Sequence, residues 1–281
     1  MISENKTGKV IIAAAGPGDP ELITYKAVQC LGVADVILTD RLVNKEIIER
    51  FGSSKAIVIE VGKQSGRKGS TPQQSINELL VHYAQQYKLV VRLKGGDVSL
   101  FSNILDELET LTLNRISYEI IPGVTAALGA AAYAGIPLTA RGYSTGVRLL
   151  TFYKPEVVTD EEWNELGKTD DTLVFYMSSQ SLSQLTLRLF EAGMSAEKPV
   201  AIIEQATTPV QHVFIQNLAK CKNETERAFL SPTLIIIGEV VKLHPRFNWF
   251  NSSEEGASFF EPVADREDSL VSEINNYDSG N

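Results

Sequence analysis

Three glycine-containing motifs carry residue types that could bind a small molecule. They lie at residues 15–22, 92–97 and 121–127, and each follows an apolar run typical of a β-strand. Glycine has no side chain, so the backbone there can approach a ligand closely. In the second motif, the Asp97 carboxylate can also accept hydrogen bonds from an amine or a hydroxyl. Each motif alone is explained equally well by an ordinary turn between a strand and a helix.

The first motif does not match the dinucleotide-binding pattern G-x-G-x-x-G. Its second glycine is followed by Asp19-Pro20-Glu21, and the two carboxylates would repel a pyrophosphate. The third motif is followed by an alanine-rich stretch at residues 130–134. Small residues at this density bring a helix close to a sheet or to a flat ligand, although a tightly packed core helix accounts for the alanines as well.

The segments around the motifs predict an α/β fold. Strands are predicted at residues 9–15, 34–38, 56–61 and 89–93, and helices at residues 20–31 and 71–87. Asp19 and Thr71 are good N-caps, and each is followed by a proline at the first helical position. Strands that alternate with helices predict a sheet covered by helices. Ligands bind beyond the carboxyl ends of the strands in such sheets, and each glycine motif falls there.

A second set of elements follows a break at residues 137–146. It comprises strands at residues 147–152, 172–176, 200–203 and 234–237, a helix at 182–192 and a hairpin near 209–216. We therefore predict two α/β domains, at residues 8–139 and 140–246. Residues 251–281 carry eight acidic side chains and one basic one, which predicts an acidic, disordered tail outside the catalytic unit.

Composition narrows the class of protein. The chain has 281 residues, of which 43% are hydrophobic, and a formal net charge of −9. This acidity argues against a nucleic-acid partner, and the lack of an uncharged apolar stretch of about 18 residues argues against a membrane span. The N-terminal apolar run is too short for a signal peptide. Cys30 and Cys221 are far apart and fit free thiols in a reducing compartment, so we expect a cytoplasmic protein without a metal site.

Taken in order and at these spacings, the motifs resemble the tetrapyrrole methylase family, and within it the uroporphyrinogen-III C-methyltransferases. Further segments carry the same resemblance, at residues 34–43, 61–63, 134–139, 174–177 and 204–209. The resemblance implies a homodimer of two α/β domains, with S-adenosylmethionine bound in the cleft between them. The implied reaction is the methylation of uroporphyrinogen III at carbons 2 and 7, which gives precorrin-2.

The resemblance also assigns roles to individual residues. The expected cofactor-binding residues are Pro17, Gly95, Gly96, Asp97, Leu100, Thr125, Ala126, Met177 and Ala206. Asp40 and Lys63 correspond to the family's proposed proton acceptor and proton donor. Asp40 could instead be a cap or a salt-bridge partner at a strand end, and Lys63 a surface lysine that only attracts an acidic substrate.

The implied substrate is a polycarboxylate, so its site needs cations. The candidates beside the motifs are Arg41, Lys63, Arg67, Lys68 and Arg141. The family pattern continues after the second motif with Gly-Arg-Gly-Gly, where this chain has residues 102–105, and Asn103 stands in place of the arginine. Asn103 can hydrogen-bond to a substrate but cannot serve as a cation. This departure has three possible explanations: Arg41 or Arg141 substitutes for the arginine, turnover is reduced, or the substrate differs. The alternative functions are a methyltransferase of the same family that acts on a later corrinoid precursor, and a non-catalytic homologue that binds the cofactor.

Overall fold

A computed structural model describes residues 7–61, 73–152, 158–178, 181–222, 229–252 and 259–260. The chain divides into two compact units. Unit one comprises residues 1–15, 24–122 and 260–281, and unit two comprises residues 16–23 and 123–259. The predicted boundary at residues 139/140 lies inside unit two, because the helix that precedes it packs on the second sheet rather than on the first.

Unit one is built on a parallel five-stranded sheet with the strand order β3-β2-β4-β1-β5. Its strands are β1 (Lys9–Ala14), β2 (Val36–Thr39), β3 (Ile57–Glu60), β4 (Leu89–Lys94) and β5 (Ser117–Ile121). The helices are α1 (Tyr25–Leu31), α2 (Lys45–Phe51), α3 (Gln73–Gln86) and α4 (Ile104–Leu113). Because the strands are parallel, the loops that follow all of them leave from the same edge of the sheet.

Strand β1 of unit one is apolar on both faces after Lys9. In β1, Ile12 packs into the core under α3, while Ile11 on the opposite face is also buried. A parallel sheet covered on both sides has this near-continuous apolar pattern, which is why the sequence signal is a run rather than an alternation. The helices that cover one face contribute Ile76, Leu80 and Leu111 to the same core.

Unit two contains a mixed five-stranded sheet with the strand order β6-β7-β10-β8-β9. Only the β6–β7 pair is parallel, and the other three pairs are antiparallel. Its strands are β6 (Val147–Thr151), β7 (Thr172–Tyr176), β8 (Pro199–Glu204), β9 (His212–Asn217) and β10 (Thr233–Ile237). The helices are α5 (Ala126–Tyr133), α6 (Asp160–Lys168), α7 (Leu182–Glu191), α8 (Leu218–Lys222) and α9 (His244–Phe247).

Helix α5 lies on one face of the second sheet. Its buried alanines, including Ala127 and Ala130, share a core with Val174, Ala201 and Ile236. Alternate residues of the same strands, such as Phe175 and Ile202, face a second core that contains Trp163 and Leu185. The alanine-rich sequence therefore brings a helix close to a sheet, which was one of the two interpretations of the third motif.

One local feature differs from the sequence prediction. The single helix predicted at residues 20–31 is a 3-10 helix, Pro20–Leu22, followed by α1. Ile23 and Thr24 between them are extended, and the Thr24 hydroxyl accepts a hydrogen bond from the Ala27 N–H at 3.4 Å, so Thr24 caps α1.

Two residues of the predicted tail make defined contacts. The Phe259 N–H donates to Oε1 of Gln205 at 2.6 Å, and Phe260 is buried. The prediction of disorder assumed that the acidic segment had little apolar surface to bury, and Phe260 does bury its ring. For the rest of residues 251–281 disorder remains a prediction.

The described residues contain no helix that is both long and apolar enough to cross a membrane.

Candidate cofactor and substrate site

Asp40 and the second glycine motif lie side by side at the carboxyl edge of the unit-one sheet. Strands β2 and β4 are hydrogen-bonded neighbours, and Thr39 pairs with Leu93 in their register. The Asp40 N–H continues this pairing by donating to the Leu93 carbonyl at 3.1 Å. The chain therefore places the candidate proton acceptor directly beside the strand end that leads into Gly95.

The backbone at Gly95 and Gly96 favours glycine. A Cβ atom added to Gly95 would lie 3.1 Å from the Leu42 carbonyl oxygen, and Gly96 has φ = +69°. A side chain at Gly95 would be in tight contact with the Leu42 backbone, and Gly96 adopts a left-handed conformation that side chains disfavour. Asp97 follows and accepts hydrogen bonds from the N–H of Ser99 at 2.9 Å and from its hydroxyl at 2.5 Å. The turn thus places peptide groups, rather than side chains, at the strand end.

A buried network of four charged residues lies beneath this edge. We name the side chains of Asp40, Arg92, Lys94 and Glu107 the buried charge network. The Arg92 guanidinium pairs with the Asp40 carboxylate, and its Nε donates to Glu107 Oε1 at 3.1 Å. Lys94 Nζ donates to both carboxylate oxygens of Glu107, at 2.9 and 3.0 Å. The two positive and two negative charges balance within the network.

Burial and pairing act in opposite directions on these groups. Burial is the largest effect on Arg92, but the carboxylates of Asp40 and Glu107 outweigh it and raise the pKa of the guanidinium. For Lys94, burial dominates over the attraction of Glu107 and lowers the pKa of the amine. Breaking one partner of such a pair would leave an uncompensated charge in the protein interior, which costs about 3–5 kcal/mol.

Sequence reasoning missed Arg92, Lys94 and Glu107 as parts of the site, although a signal was present. Strand β4 is apolar except at Arg92 and Lys94, which alternate with Val90 and so share its face. On α4, Glu107 lies on the stripe formed by Ile104, Leu108 and Leu111 at helical spacing. Charges at core positions of a strand and of the following helix predict a buried ion pair between the two elements.

In unit two, the start of α5 is attached to the carboxyl end of β7. The Tyr176 hydroxyl shares a hydrogen bond with Thr125 Oγ1 at 2.7 Å and accepts one from the Ala127 N–H at 3.0 Å. Tyr176 therefore fixes the first turn of the helix, where Thr125 and Ala126 are candidate cofactor contacts. This role of Tyr176 was not predicted from the sequence, although the residue belongs to the family segment 174–177.

Met177 and Ala206 also lie at this edge of the second sheet. Tyr176 of β7 and Ile203 of β8 both pair with Leu234 of β10, so β7 and β8 end at the same level. Met177 follows β7 directly and is 53% exposed, whereas Ala206 follows β8 and is buried. A large apolar side chain and a small one therefore lie at the same edge of the sheet, with β10 between the two strands that precede them.

The backbone at this edge is strained. Met177, Gln205 and Thr207 have positive φ values of 57°, 46° and 67°. This conformation is uncommon for residues other than glycine and is least favourable for a β-branched residue such as Thr207. Residues held in this way cluster at ligand sites, because the surrounding structure must compensate for the strain.

The first glycine motif completes the unit-two part of the site. The Asp19 N–H donates to Thr207 Oγ1 at 3.0 Å, and the Tyr133 hydroxyl donates to Asp19 Oδ2 at 2.5 Å. A Cβ atom added to Gly129 of α5 would lie 2.6 Å from Pro17 Cγ. The loop therefore rests directly on α5 and on the turn after β8, and five of the nine cofactor candidates lie in this unit: Pro17, Thr125, Ala126, Met177 and Ala206.

The candidate substrate-binding cations have different environments. Arg41 is half-buried, and burial lowers the pKa of its guanidinium. Arg141 is exposed. Lys63, Arg67 and Lys68 lie outside the described residues.

Asn103 occupies a left-handed position at the start of α4. It has φ = +55°, and its amide donates to Asp106 Oδ2 at 3.0 Å and to Gln73 Oε1 at 3.3 Å. Asparagine tolerates this conformation better than most residues, because its side chain can hydrogen-bond locally. Its contacts are therefore with neighbouring side chains of the same unit. Across the described part of the chain, no group of three or more His, Cys, Asp or Glu side chains could hold a metal ion.

Comparison with known proteins identifies the family. The profile of the Tetrapyrrole (Corrin/Porphyrin) Methylases matches residues 9–222. The siroheme synthases of Saccharophagus degradans and Azotobacter vinelandii are 42% and 43% identical over 88% of this chain. The match covers 54% and 53% of those two proteins, so the chain spans about half the length of the curated relatives it matches.

Solved structures agree with the profile. Uroporphyrin III C-methyl transferase from Thermus thermophilus has a TM-score of 0.71 and 31% identity, over 84% of this chain and 100% of that one. The same enzyme complexed with S-adenosylhomocysteine has a TM-score of 0.70 and 30% identity, over 84% of this chain and 94% of that one. A cobalt precorrin-4 methyltransferase has a TM-score of 0.74 and 25% identity, over 86% of this chain and 99% of that one. The predicted α/β fold class is confirmed, and the chain belongs to the tetrapyrrole methylases.

Proposed function

We propose that this protein is an S-adenosylmethionine-dependent C-methyltransferase that converts uroporphyrinogen III to precorrin-2. The methylase family and the relative solved with S-adenosylhomocysteine imply S-adenosylmethionine as the methyl donor. The observation that carries the proposal is the edge of unit two, where Thr125 begins α5, Met177 follows β7 and Ala206 follows β8. We also propose a cytoplasmic homodimer, as the resemblance implies.

The described residues fit this cofactor. In unit two, Met177 presents an exposed apolar surface at the same sheet edge as the small Ala206, and these two residues would hold the adenine. Pro17, Thr125 and Ala126 would hold the methionine end. In unit one, Gly95, Gly96, Asp97 and Leu100 would contact the ribose and the amino acid, since the glycine turn exposes peptide groups and the Asp97 carboxylate can accept hydrogen bonds from hydroxyls.

The bound cofactor would supply an activated methyl group on a sulfonium. An electron-rich pyrrole carbon of the substrate accepts that methyl group, first at carbon 2 and then at carbon 7, and the ring must afterwards lose a proton. We propose that Asp40 accepts this proton and that Lys63 acts as proton donor. Positioned acid–base groups contribute about 100- to 10,000-fold to such reactions, and alignment of the methyl group with the ring carbon contributes further acceleration.

Substrate recognition would depend on cations that face the carboxylates of the macrocycle. Arg41 and Arg141 are candidates among the described residues, and the resemblance adds Arg67 and Lys68. An arginine can bind a carboxylate through two parallel hydrogen bonds, whereas a lysine acts as a point charge. Asn103 would contribute a hydrogen bond in place of the family's arginine.

Methyl transfer can be tested directly. Incubation with uroporphyrinogen III and S-adenosylmethionine labelled in its methyl group should give precorrin-2 carrying two labelled methyl groups, as identified by mass spectrometry. Labelled product from a later corrinoid precursor, with none from uroporphyrinogen III, would refute the acceptor assignment but not the cofactor assignment. That alternative acceptor is favoured by Asn103, which leaves this position without a cation, and by the similarity to cobalt precorrin-4 methyltransferase.

Cofactor binding can be tested separately by calorimetry with S-adenosylhomocysteine. Met177→Ala should weaken binding about 3- to 10-fold, because Met177 is 53% exposed and burial of that half of the side chain is worth about half of the roughly 1.5–3 kcal/mol of full burial. Leu187→Ala is a matched control, since Leu187 is 40% exposed on α7 and outside the proposed site. Binding with no transfer to any tetrapyrrole would favour the non-catalytic homologue. Equal affinity in the Met177 and Leu187 variants would refute the pocket assignment.

A further inference from the structure

We propose that Arg92 is a positioning residue that holds the Asp40 carboxylate in the orientation needed for proton transfer. This inference rests on the proposed role of Asp40 as proton acceptor. The relevant observation is the buried charge network, in which the Arg92 guanidinium pairs with Asp40 on one side and with Glu107 on the other.

The contacts of Arg92 leave its side chain little freedom. Besides the two carboxylates, its Nη1 donates to the backbone carbonyls of Leu38 at 3.3 Å and Leu93 at 3.2 Å. These carbonyls belong to the two strands that flank the group, so the guanidinium is fixed to the sheet itself. The side chain of Arg92 is only 2% exposed, whereas that of Asp40 is 27% exposed. Asp40 is thus anchored from the protein interior and open to solvent on its other side.

Glu107 and Lys94 compensate the charge of Arg92 in the protein interior. Glu107 is fully buried and accepts hydrogen bonds from both Arg92 and Lys94. Its carboxylate offsets the charge of Arg92, and Lys94 in turn offsets the additional negative charge, so the network is neutral as a whole. A planar guanidinium with a fixed fork can bridge two carboxylates, whereas a lysine amine acts as a single point charge. Replacement of Arg92 by lysine therefore keeps the charge and removes the orientation of Asp40.

This arrangement assigns different functions to the two ends of the guanidinium. The Nε end is attached to α4 through Glu107, and the Nη2 end is attached to Asp40 at the edge of the sheet. A displacement of Asp40 by about 1 Å would misalign it with the ring proton, and a misplacement of that size can reduce a rate about 100-fold. We expect the effect on turnover rather than on affinity for the cofactor, because no member of the network is among the cofactor candidates.

The test is a double-mutant cycle on methyl transfer with uroporphyrinogen III. Arg92→Lys should lower kcat about 10- to 100-fold, while KM for the tetrapyrrole and the affinity for S-adenosylhomocysteine change less than about threefold. In an Asp40→Asn background, Arg92→Lys should have no further effect, because residues that act through one another are not additive. Arg148→Lys is the matched control: Arg148 pairs with Asp171 at 2.9 Å on the surface of unit two, and its substitution should leave kcat unchanged.

Glu107→Gln is a second variant that tests the proposal if Arg92→Lys does not fold. The amide has the same size and still accepts a hydrogen bond from Arg92, so we expect a several-fold loss of kcat that also disappears in the Asp40→Asn background. Circular dichroism on every variant verifies that it is folded. Additive effects of Arg92→Lys and Asp40→Asn in a folded, active protein would overturn the positioning role. If the parent protein transfers no methyl group, the proposed function has failed, and that outcome is distinct from additivity.

Discussion

Replacing Gly129 with alanine sets two effects of opposite sign against each other. Gly129 lies within α5, where alanine is favoured over glycine by about 1 kcal/mol. The added Cβ, however, would lie 2.6 Å from Pro17 Cγ, 2.8 Å from Pro17 Cβ and 3.1 Å from Thr207 Cγ2. Carbon atoms pack at about 3.5–4.0 Å, so the proline ring would have to withdraw by roughly 1 Å.

The packing effect should dominate. Overfilling a well-packed site costs about 1–3 kcal/mol, so the net change should be a loss of about 0–2 kcal/mol in the free energy of unfolding. Because Pro17 is a proposed cofactor contact, its displacement should also weaken S-adenosylhomocysteine binding by roughly three- to tenfold, the loss of one apolar contact among several.

Urea unfolding and calorimetry measure the two quantities on the same preparation. Ala132→Gly on the exposed side of α5 is the control: it should lower stability by about 1 kcal/mol through helix propensity and leave the affinity unchanged. A Gly129→Ala variant that is about 1 kcal/mol more stable than the parent, with unchanged affinity, would refute the close contact between α5 and the first glycine motif.

Two further predictions concern stability. A chain that ends at Phe250 should unfold at lower urea concentration than one that ends at Pro262, since burial of the Phe260 ring contributes at most about 1.5–3 kcal/mol; identical midpoints would show that this burial contributes nothing. Burial, followed by the hydrogen bond to Asp19, raises the pKa of Tyr133 from 10.0 to about 12. The neutral phenol is therefore favoured in the folded state, so its contribution to stability is complete below pH 10 and is lost as the pH rises from 10 to 12. In Tyr133→Phe this loss should be absent from urea unfolding curves recorded across that pH range. If the free energy of unfolding of the variant falls between pH 10 and 12 as it does in the parent, the pKa shift of Tyr133 has no role in stability.

The sequence predicted the parts of the fold that depend on local patterns. The strand predicted at residues 172–176 has the bounds of β7, because its apolar and β-branched residues, buried on both faces as far as Phe175, give an unbroken signal. The glycine motifs were placed correctly after strands, because each follows an apolar run that forms β1, β4 or β5, and Gly96 adopts a positive φ there. The boundary between the units was not predictable in the same way, because the attachment of α5 to the second sheet depends on contacts with Val174 and Ile236 that are distant in sequence.

The residues of the candidate site were likewise predicted only in part. Single residues such as Asp40 and Thr125 were named through the family resemblance, whereas their partners Arg92 and Tyr176 were not. A hydrogen bond between strands, or between a strand and a helix, depends on the strand register and on which face each element turns towards its neighbour. Residue spacing alone encodes neither of these. The charges at positions 92, 94 and 107 could have been recognised as a set, because all three interrupt an apolar face.

The course of the chain between the two units limits how the protein can be divided. Residues 1–15 belong to unit one, residues 16–23 to unit two, and residues 24–122 again to unit one. A fragment that encodes only residues 123–259 would lack the loop that covers Gly129 and that donates the Asp19 N–H to Thr207. Such a fragment would expose the α5 surface and leave the strained turn at Thr207 without one of its supports. Neither unit can therefore be excised by a single cut, and recombination of gene segments at residue 122 would separate the first glycine motif from the structure that holds it.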